Sequence, residues 1–206
     1  MNIFIPNINK YALHYVFENL KITNNENSLW LEFGVYSGST INYISKFTSN
    51  NVYGFDSFEG LPENWLDDNN NIILNQGFFN RNGVLPDVNE NVYLIKGLFQ
   101  NTLDDFLNTH KDKKISFVHI DCDLYSSTKY VLEKIYPYLE DNCIIIFDEL
   151  VNVNNDTSNE LKAFNEFILK YKVNYKWIGM LGYPNMPNPH HDNQSVAVYF
   201  NYKEDI

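Results

Sequence analysis

The chain has 206 residues, of which 44% are hydrophobic and 20% charged, and its formal net charge is −11. This length favours one domain with one core, and the apolar content argues against a disordered chain. The excess of 26 acidic over 15 basic residues repels phosphate polymers and anionic bilayers. We therefore expect neither nucleic acid nor a membrane as a partner.

Two further features bear on the cellular compartment. The longest strongly apolar run, 143–147, is far shorter than the ~20 residues that span a bilayer, and the N-terminus lacks a basic stretch followed by an apolar one. Cys122 and Cys143 both fall in segments predicted to be buried strands, where a thiol behaves as a small apolar group. These features predict a soluble, cytoplasmic protein.

Short apolar runs alternate along the chain with segments of helical periodicity. The first strand is predicted at 29–33, and the helix at 39–47 opens with Ser and Thr, which cap free backbone donors. Further strands are predicted at 51–55, 92–96, 115–120, 143–147, 175–181 and 194–202, and further helices at 102–108, 126–139 and 157–171. This alternation favours a parallel sheet with helices on both faces, ending in an antiparallel pair of strands at its edge.

A polar, glycine-rich segment follows the first predicted strand: Glu32-Phe-Gly-Val-Tyr-Ser-Gly-Ser-Thr40. In open α/β sheets, ligands bind beyond the carboxyl ends of the strands. Gly34 permits a tight turn there, and Gly38 lets backbone approach a ligand at a helix N-terminus. The segment lacks the lysine of a P-loop, and Tyr36 replaces the middle glycine of the dinucleotide motif, which disfavours a pyrophosphate dinucleotide. Alternatively, the glycines only shape the turn.

Asp56 stands at the end of the second predicted strand. Doubly wound folds use a carboxylate at this place to bind ribose hydroxyls, since its two oxygens can accept from both. This position therefore predicts a nucleoside ligand. The alternative is an aspartate that opens a turn through a hydrogen bond to nearby backbone.

Four carboxylates follow the fourth and fifth predicted strands: Asp121, Asp123, Asp148 and Glu149. Adjacent strands lie about 4.8 Å apart, so we expect these side chains at one rim of the sheet. Burying them together without a cation is unfavourable, and carboxylate oxygens suit Mg²⁺ or Ca²⁺ better than zinc. The alternative is that Asp123 or Ser126 caps the next helix while Glu149 is solvated.

The histidines divide into two groups. His119 lies inside a predicted strand and is expected to be a core residue. His190 and His191 fall in the loop between the last two strands, where we expect a solvated loop, with acceptor binding or metal capture as the alternative.

Three strings carry a resemblance to a known family. They are Glu32-Phe-Gly-Val-Tyr-Ser-Gly-Ser-Thr40, Tyr53-Gly-Phe-Asp-Ser-Phe-Glu-Gly-Leu-Pro-Glu63 and Ile120-Asp-Cys-Asp-Leu-Tyr-Ser-Ser-Thr128, followed by Tyr136-Pro and Asp148-Glu149. From about residue 29 to the final strand, the chain resembles the macrocin O-methyltransferase family of class I S-adenosylmethionine-dependent methyltransferases. The resemblance implies a Rossmann-like α/β fold with a mostly parallel, seven-stranded sheet, an antiparallel last strand and helices on both faces.

The resemblance also implies site residues. Glu32 and Gly34 are expected around the methionine part of S-adenosylmethionine, and Asp56 at its ribose. The expected cofactor contacts together are Glu32, Gly34, Tyr36, Ser37, Gly38, Ser39, Thr40, Asp56, Ser57, Gly97 and Asp121. Mg²⁺ is expected on Asp121, Asp148 and Glu149, with Asp123 as general base. Glu149 stands where the family usually has a second aspartate, and its longer arm shifts the expected ion.

Under this interpretation, residues 1–206 form one methyltransferase domain. It consists of an N-terminal helical segment at 1–27, a cofactor-binding core at 28–150, and a C-terminal helix and strand pair at 151–206. Acceptor contacts are expected in the irregular loops 66–85 and 182–194, because loops vary on a fixed scaffold. The aromatic content of 16% and the apolar N-terminal segment leave room for a homodimer.

The expected function is methyl transfer from S-adenosylmethionine to a hydroxyl of a small molecule, a sugar or sugar-containing metabolite, assisted by Mg²⁺. An alcohol is a poor nucleophile, and a bound cation together with a carboxylate base corrects this. Three alternatives stay open. They are a metal-independent methyltransferase using Asp123 or a loop histidine, a non-catalytic nucleoside-binding protein, and a nicotinamide-dependent oxidoreductase, which Tyr36 disfavours.

Overall fold

The computed structural model describes residues 5–151, 158–181 and 194–203. The strands in these ranges are β1 (Asn7–Ile8), β2 (Ser28–Phe33), β3 (Val52–Asp56), β4 (Trp65–Leu66), β5 (Ile72–Leu74), β6 (Val92–Lys96), β7 (Lys114–Ile120), β8 (Leu139–Phe147), β9 (Tyr175–Leu181) and β10 (Val196–Phe200). The α-helices are α1 (Ala12–Asn19), α2 (Ser39–Ile44), α3 (Phe99–Thr109), α4 (Tyr125–Ile135) and α5 (Glu160–Tyr171). Short 3₁₀ turns, Ser45–Phe47 and Tyr136–Tyr138, follow α2 and α4.

Eight of the described strands form one mixed sheet in the order β1-β9-β10-β8-β7-β2-β3-β6. Neighbouring strands are parallel except at β10, which is antiparallel to both β8 and β9. The predicted α/β architecture with an antiparallel last strand is therefore confirmed. The strand count is eight rather than seven, because the two-residue β1 adds an edge strand beside β9.

Helices cover both faces of the sheet, which explains why its central strands are almost continuously apolar. Ile144 and Ile146 of β8 face the layer that contains α1 and α2. Cys143, Ile145 and Phe147 alternate to the opposite face and pack with α3, α4 and α5. No helix within the described residues is long and apolar enough to cross a bilayer.

Element boundaries shift by a few residues from those predicted. The predicted helix at 39–47 is α-helical only to Ile44 and ends as a 3₁₀ turn, and α3 begins at Phe99 rather than residue 102. The β4–β5 hairpin was not predicted, because strands of two and three residues are too short for an alternating pattern to emerge.

The order of the strands creates a crevice. From β2 the chain builds outward to β3 and β6, then returns to place β7 on the other side of β2. In open α/β sheets, ligands bind at this reversal, beyond the carboxyl ends of the strands. The residues that follow β2, β3, β7 and β8 are therefore the ones positioned to form a site.

Candidate active site

A cavity of about 300 Å³ opens at the carboxyl ends of these strands. Small-ligand pockets have volumes of roughly 300–1,000 Å³, so the cavity is large enough for a small molecule. The predicted site residues that line it are Gly34, Tyr36, Thr40, Asp56, Ser57, Gly97, Asp121, Asp123, Asp148 and Glu149. The other predicted cofactor contacts, which lie outside this lining, are Glu32, Ser37, Gly38 and Ser39.

Gly34 brings the loop after β2 against the end of β7. Its φ is +88°, and a Cβ at this position would lie 1.7 Å from the carbonyl oxygen of Asp121. Its N–H donates a hydrogen bond to the carbonyl of Phe55 at 2.9 Å. A side chain at this position would separate the loop from the neighbouring strand, so glycine is required for the turn, and the same residue also lines the cavity.

The carboxylate of Asp56 joins this loop to the turn after β3. Its Oδ2 accepts from the N–H groups of Val35 and Tyr36, each at 2.8 Å, and its Oδ1 accepts from the N–H of Phe58 at 2.7 Å. The alternative prediction, that Asp56 opens a turn through a hydrogen bond to nearby backbone, is therefore correct for its bond with Phe58. A carboxylate offers about four acceptor positions, so three backbone bonds still leave capacity for a ligand hydroxyl.

Glu32 is buried within the sheet rather than exposed to the cavity. Its Oε1 lies 2.9 Å from Nδ1 of His119, whose Nε2 lies 3.6 Å from Oδ1 of Asp148. His119 is a fully buried core residue, as expected. Burial opposes the charged form of His119, but the adjacent carboxylates of Asp148 and Glu32 raise its pKa well above the usual range. Oε2 of Glu32 has no hydrogen-bond partner among the described residues.

Three acids converge at the cavity. Asp121, Asp123 and Glu149 each present a carboxylate oxygen, and the three oxygens all lie within 4.8 Å of one another. Asp123 occupies the short connection between β7 and α4 with a φ of +61°, a left-handed conformation that is uncommon outside glycine. The N–H of Glu149 donates to Oε2 of Glu160 at 3.3 Å, which places a further buried carboxylate beside the cluster.

Asp148 is placed differently from the other acids. The hydroxyl of Tyr11, the residue before α1, donates a hydrogen bond to Oδ1 of Asp148. The structure thus brings Asp121 and Glu149 together with Asp123, whereas the predicted metal set contained Asp148 as its third member. The assignment of Asp148 as a metal ligand stays a prediction.

Burial and mutual repulsion perturb the acids strongly. Burial raises the pKa values of Asp121 and Glu149 well above their usual range, and the charge of Asp148 raises both further. Burial, followed by the charges of Asp148 and Asp56, raises the pKa of Asp123 to about 7. A bound cation would favour the ionised forms of all three acids.

Sequence reasoning missed several residues of the cavity wall. Tyr11 gave no signal because it lies in the N-terminal segment, 137 residues from its partner Asp148. Gln100, at the start of α3, was also missed, whereas Phe79 lines the cavity from loop 66–85, where acceptor contacts were expected. The loop that contains His190 and His191 lies outside the described residues.

The fold and this acid-lined cavity define an α/β protein with a cavity of ligand size at the carboxyl end of its sheet. A model of the methyltransferase domain matches residues 31–150. Because this match spans more than half of the chain, the protein belongs to that methyltransferase family, and it has the class I methyltransferase fold. None of the curated proteins compared by sequence matches the chain.

Solved structures with a similar fold include three methyltransferases. The calicheamicin methyltransferase CalS11 is 22% identical, with a TM-score of 0.61 over 90% of this chain and 74% of that one. The O-methyltransferase NovP is 20% identical, with a TM-score of 0.57 over 93% and 77%. A putative rRNA methylase from Clostridium thermocellum is 15% identical, with a TM-score of 0.55 over 96% and 97%. At these identities, the similarity is one of fold.

Proposed function

We propose that the protein transfers a methyl group from S-adenosylmethionine to a hydroxyl of a small molecule, a sugar or a sugar-containing metabolite, with help from a divalent cation. The observation that carries this proposal is the convergence of Asp121, Asp123 and Glu149 within 4.8 Å at the cavity that Asp56 and Gly34 also line. Membership of the methyltransferase family supports methyl transfer. The sugar acceptor is supported by the similar fold of CalS11, described as a TDP-rhamnose 3′-O-methyltransferase, and transfer to oxygen is supported by that of the O-methyltransferase NovP.

The residues present fit the nucleoside cofactor. Asp56 retains acceptor capacity for a ribose hydroxyl, and the N–H of Gly97 donates to the carbonyl of Asp56 at 2.9 Å, which fixes the two cavity-lining loops against each other. The turn at Gly34 keeps the loop backbone of Val35 and Tyr36 at the cavity wall. When bound, S-adenosylmethionine would supply a methyl group on a sulfonium, which is a good leaving group.

The acids fit a hard divalent cation such as Mg²⁺. All three converging donors are carboxylate oxygens, the ligands that Mg²⁺ prefers, and burial together with the charge of Asp148 raises the pKa values of Asp121 and Glu149. Asp121, Asp123 and Glu149 would hold the ion, and Asp148 would contribute its charge from beside them. A bound divalent cation lowers the pKa of a hydroxyl that it contacts and orients it.

Asp123 is the proposed general base. It lines the cavity, and its carboxylate, ionised beside a bound cation, can accept the proton of an acceptor hydroxyl. A carboxylate has two oxygens, so Asp123 can contact a cation with one and accept the proton of the acceptor hydroxyl with the other. Cys122 and Leu124, on either side of it, are buried, which limits its contact with bulk water.

The test is a calorimetric titration with S-adenosylhomocysteine, in Mg²⁺ and in EDTA, followed by titration of Mg²⁺ into the complex. We expect micromolar nucleoside binding and a separate metal isotherm. The metal isotherm should disappear in Glu149→Gln and persist in Asp112→Asn, a control in the exposed turn before β7, at the amino ends of the strands. Nucleoside binding without a metal isotherm would retain methyl transfer and discard the cation. Folded protein that binds no S-adenosylhomocysteine would contradict the proposal.

A further inference from the structure

Two exposed aromatic rings stand at the mouth of the cavity. Tyr36 and Phe79 both line it while remaining 47% and 37% exposed, and their ring centroids lie 5.3 Å apart in an edge-to-face arrangement. Their φ angles are +46° and +65°, left-handed conformations that bulky residues rarely adopt. Strained backbone of this kind clusters at functional sites. Because a strained conformation persists only where the surrounding structure imposes it, these two rings are held at the cavity despite their exposure.

Arg81, the only arginine of the chain, lies beside this pair. Its guanidinium carbon is 5.9 Å from the centre of the Tyr36 ring, and its Nε donates to the carbonyl of Val84 at 3.2 Å. Across the described part of the chain, no carboxylate lies within ion-pair distance of Arg81. Among the described residues, the guanidinium of Arg81 is therefore oriented but has no anionic partner.

The segment that carries Arg81 is held in place before any ligand arrives. The N–H groups of Arg81 and Gly83 both donate to the carbonyl of Phe58, at 3.1 and 2.8 Å. On its other side, Nζ of Lys96 donates to the carbonyl of Gly83 at 2.7 Å. These bonds attach the segment to the turn after β3 and to the end of β6. A preformed surface of this kind binds a ligand at a lower entropic cost than a flexible loop does.

We propose that Tyr36, Phe79 and Arg81 form a recognition site for the part of the acceptor that lies beyond its methylated hydroxyl, and that this part is a nucleoside diphosphate. The planar guanidinium matches phosphate oxygens in two-point hydrogen bonding. The adjacent rings offer stacking surface to a flat base, whichever base it is. This inference rests on the proposed function, because it names the acceptor of the same site.

The charges of the cavity give this acceptor one orientation. The acids Asp121, Asp123 and Glu149 disfavour an anion in the interior, whereas Arg81 attracts one at the mouth. A sugar linked to a nucleoside diphosphate therefore binds with its neutral, hydroxyl-bearing ring towards Asp123 and its phosphates outward. The acceptor class is a nucleotide-linked sugar rather than a free, neutral one.

The experiment measures calorimetric binding of uridine diphosphate, thymidine diphosphate, uridine and thymidine to protein saturated with S-adenosylhomocysteine. EDTA is present so that no cation bridges the phosphates to the acids. We expect at least one diphosphate to bind roughly tenfold or more tightly than its nucleoside, since hydrogen bonds to charged groups are the strong ones. Arg81→Met should remove that difference, Arg81→Lys should keep part of it, and Phe79→Leu should weaken both ligands.

Lys111→Met is the matched control, because it removes one positive charge from the exposed turn before β7, at the amino ends of the strands and away from the cavity. It should leave all four affinities unchanged. Three results would overturn the inference in protein that binds S-adenosylhomocysteine: no binding of either diphosphate, equal diphosphate affinity in Arg81→Met and wild type, or weaker S-adenosylhomocysteine binding in Arg81→Met, which would assign Arg81 to the cofactor. Failure of wild-type protein to bind S-adenosylhomocysteine would instead contradict the proposed function itself.

Discussion

The hydroxyl of Tyr11 donates a hydrogen bond to the carboxylate of Asp148, which connects the residue before α1 to the residue after β8. Asp148 in turn lies 3.6 Å from His119, and His119 lies 2.9 Å from Glu32. These four side chains form a continuous row from the cavity wall into the sheet. The N-terminal segment, which the family model does not cover, thereby contributes directly to the wall of the site.

Replacing Tyr11 with Phe should destabilise the protein without displacing the ring. The change removes the Tyr11 hydroxyl that donates to Asp148. The buried carboxylate of Asp148 thereby loses one hydrogen bond. We expect a loss of about 1–3 kcal/mol in the free energy of unfolding, measured with urea at pH 7. Tyr15→Phe, a change on the following turn at a partly exposed side chain, should have little effect. Equal stability of Tyr11→Phe and wild type would contradict the importance of this bond.

Asp56→Ala should impair both stability and cofactor binding. The position of Asp56 at the end of a strand predicts weaker cofactor binding with the fold intact. The structure shows that its carboxylate also accepts hydrogen bonds from three backbone N–H groups, so the fold should be affected too. We expect a loss of about 2–3 kcal/mol in unfolding free energy and weaker binding of S-adenosylhomocysteine by calorimetry. Asp67→Ala is the matched control, since Asp67 also accepts from turn N–H groups but lies away from the cavity lining. An Asp56→Ala protein as stable as wild type would contradict the role of Asp56 in joining the loop after β2 to the turn after β3.

The stability of the metal-free protein should fall as pH rises towards neutrality. The pKa of Asp123 is about 7 in the folded protein and about 3.9 when unfolded. A raised folded pKa favours folding fully below about pH 4, and this contribution is lost as pH rises through about 7. Mg²⁺ should restore it, so the increase in Tm on replacing EDTA with Mg²⁺ should grow between pH 5 and pH 8. An increase that is independent of pH would argue against cation binding at these acids.

The sequence predicted the parts of the molecule that depend on local pattern. Strand and helix alternation identified the sheet, and the acids after two adjacent strands identified the rim where Asp121, Asp123 and Glu149 meet. It could not predict contacts made by distant parts of the chain. The bond from Tyr11 to Asp148 depends on where α1 packs, and the burial of Glu32 against His119 depends on the register of β2 and β7.

Asp123→Asn should abolish most turnover while preserving the site. Asn, like Asp, is one of the few residues other than glycine that adopt left-handed backbone conformations, so the φ of +61° at this position should be retained. Loss of a general base lowers rates by roughly 10²- to 10⁴-fold and acts only in the chemical step, so affinity for S-adenosylhomocysteine should stay within about twofold. The measurement is single-turnover methyl transfer to an acceptor found by screening nucleotide-linked sugars, with Asp112→Asn as control. Turnover equal to wild type would remove Asp123 from the chemistry and leave the acids with a purely ion-binding role.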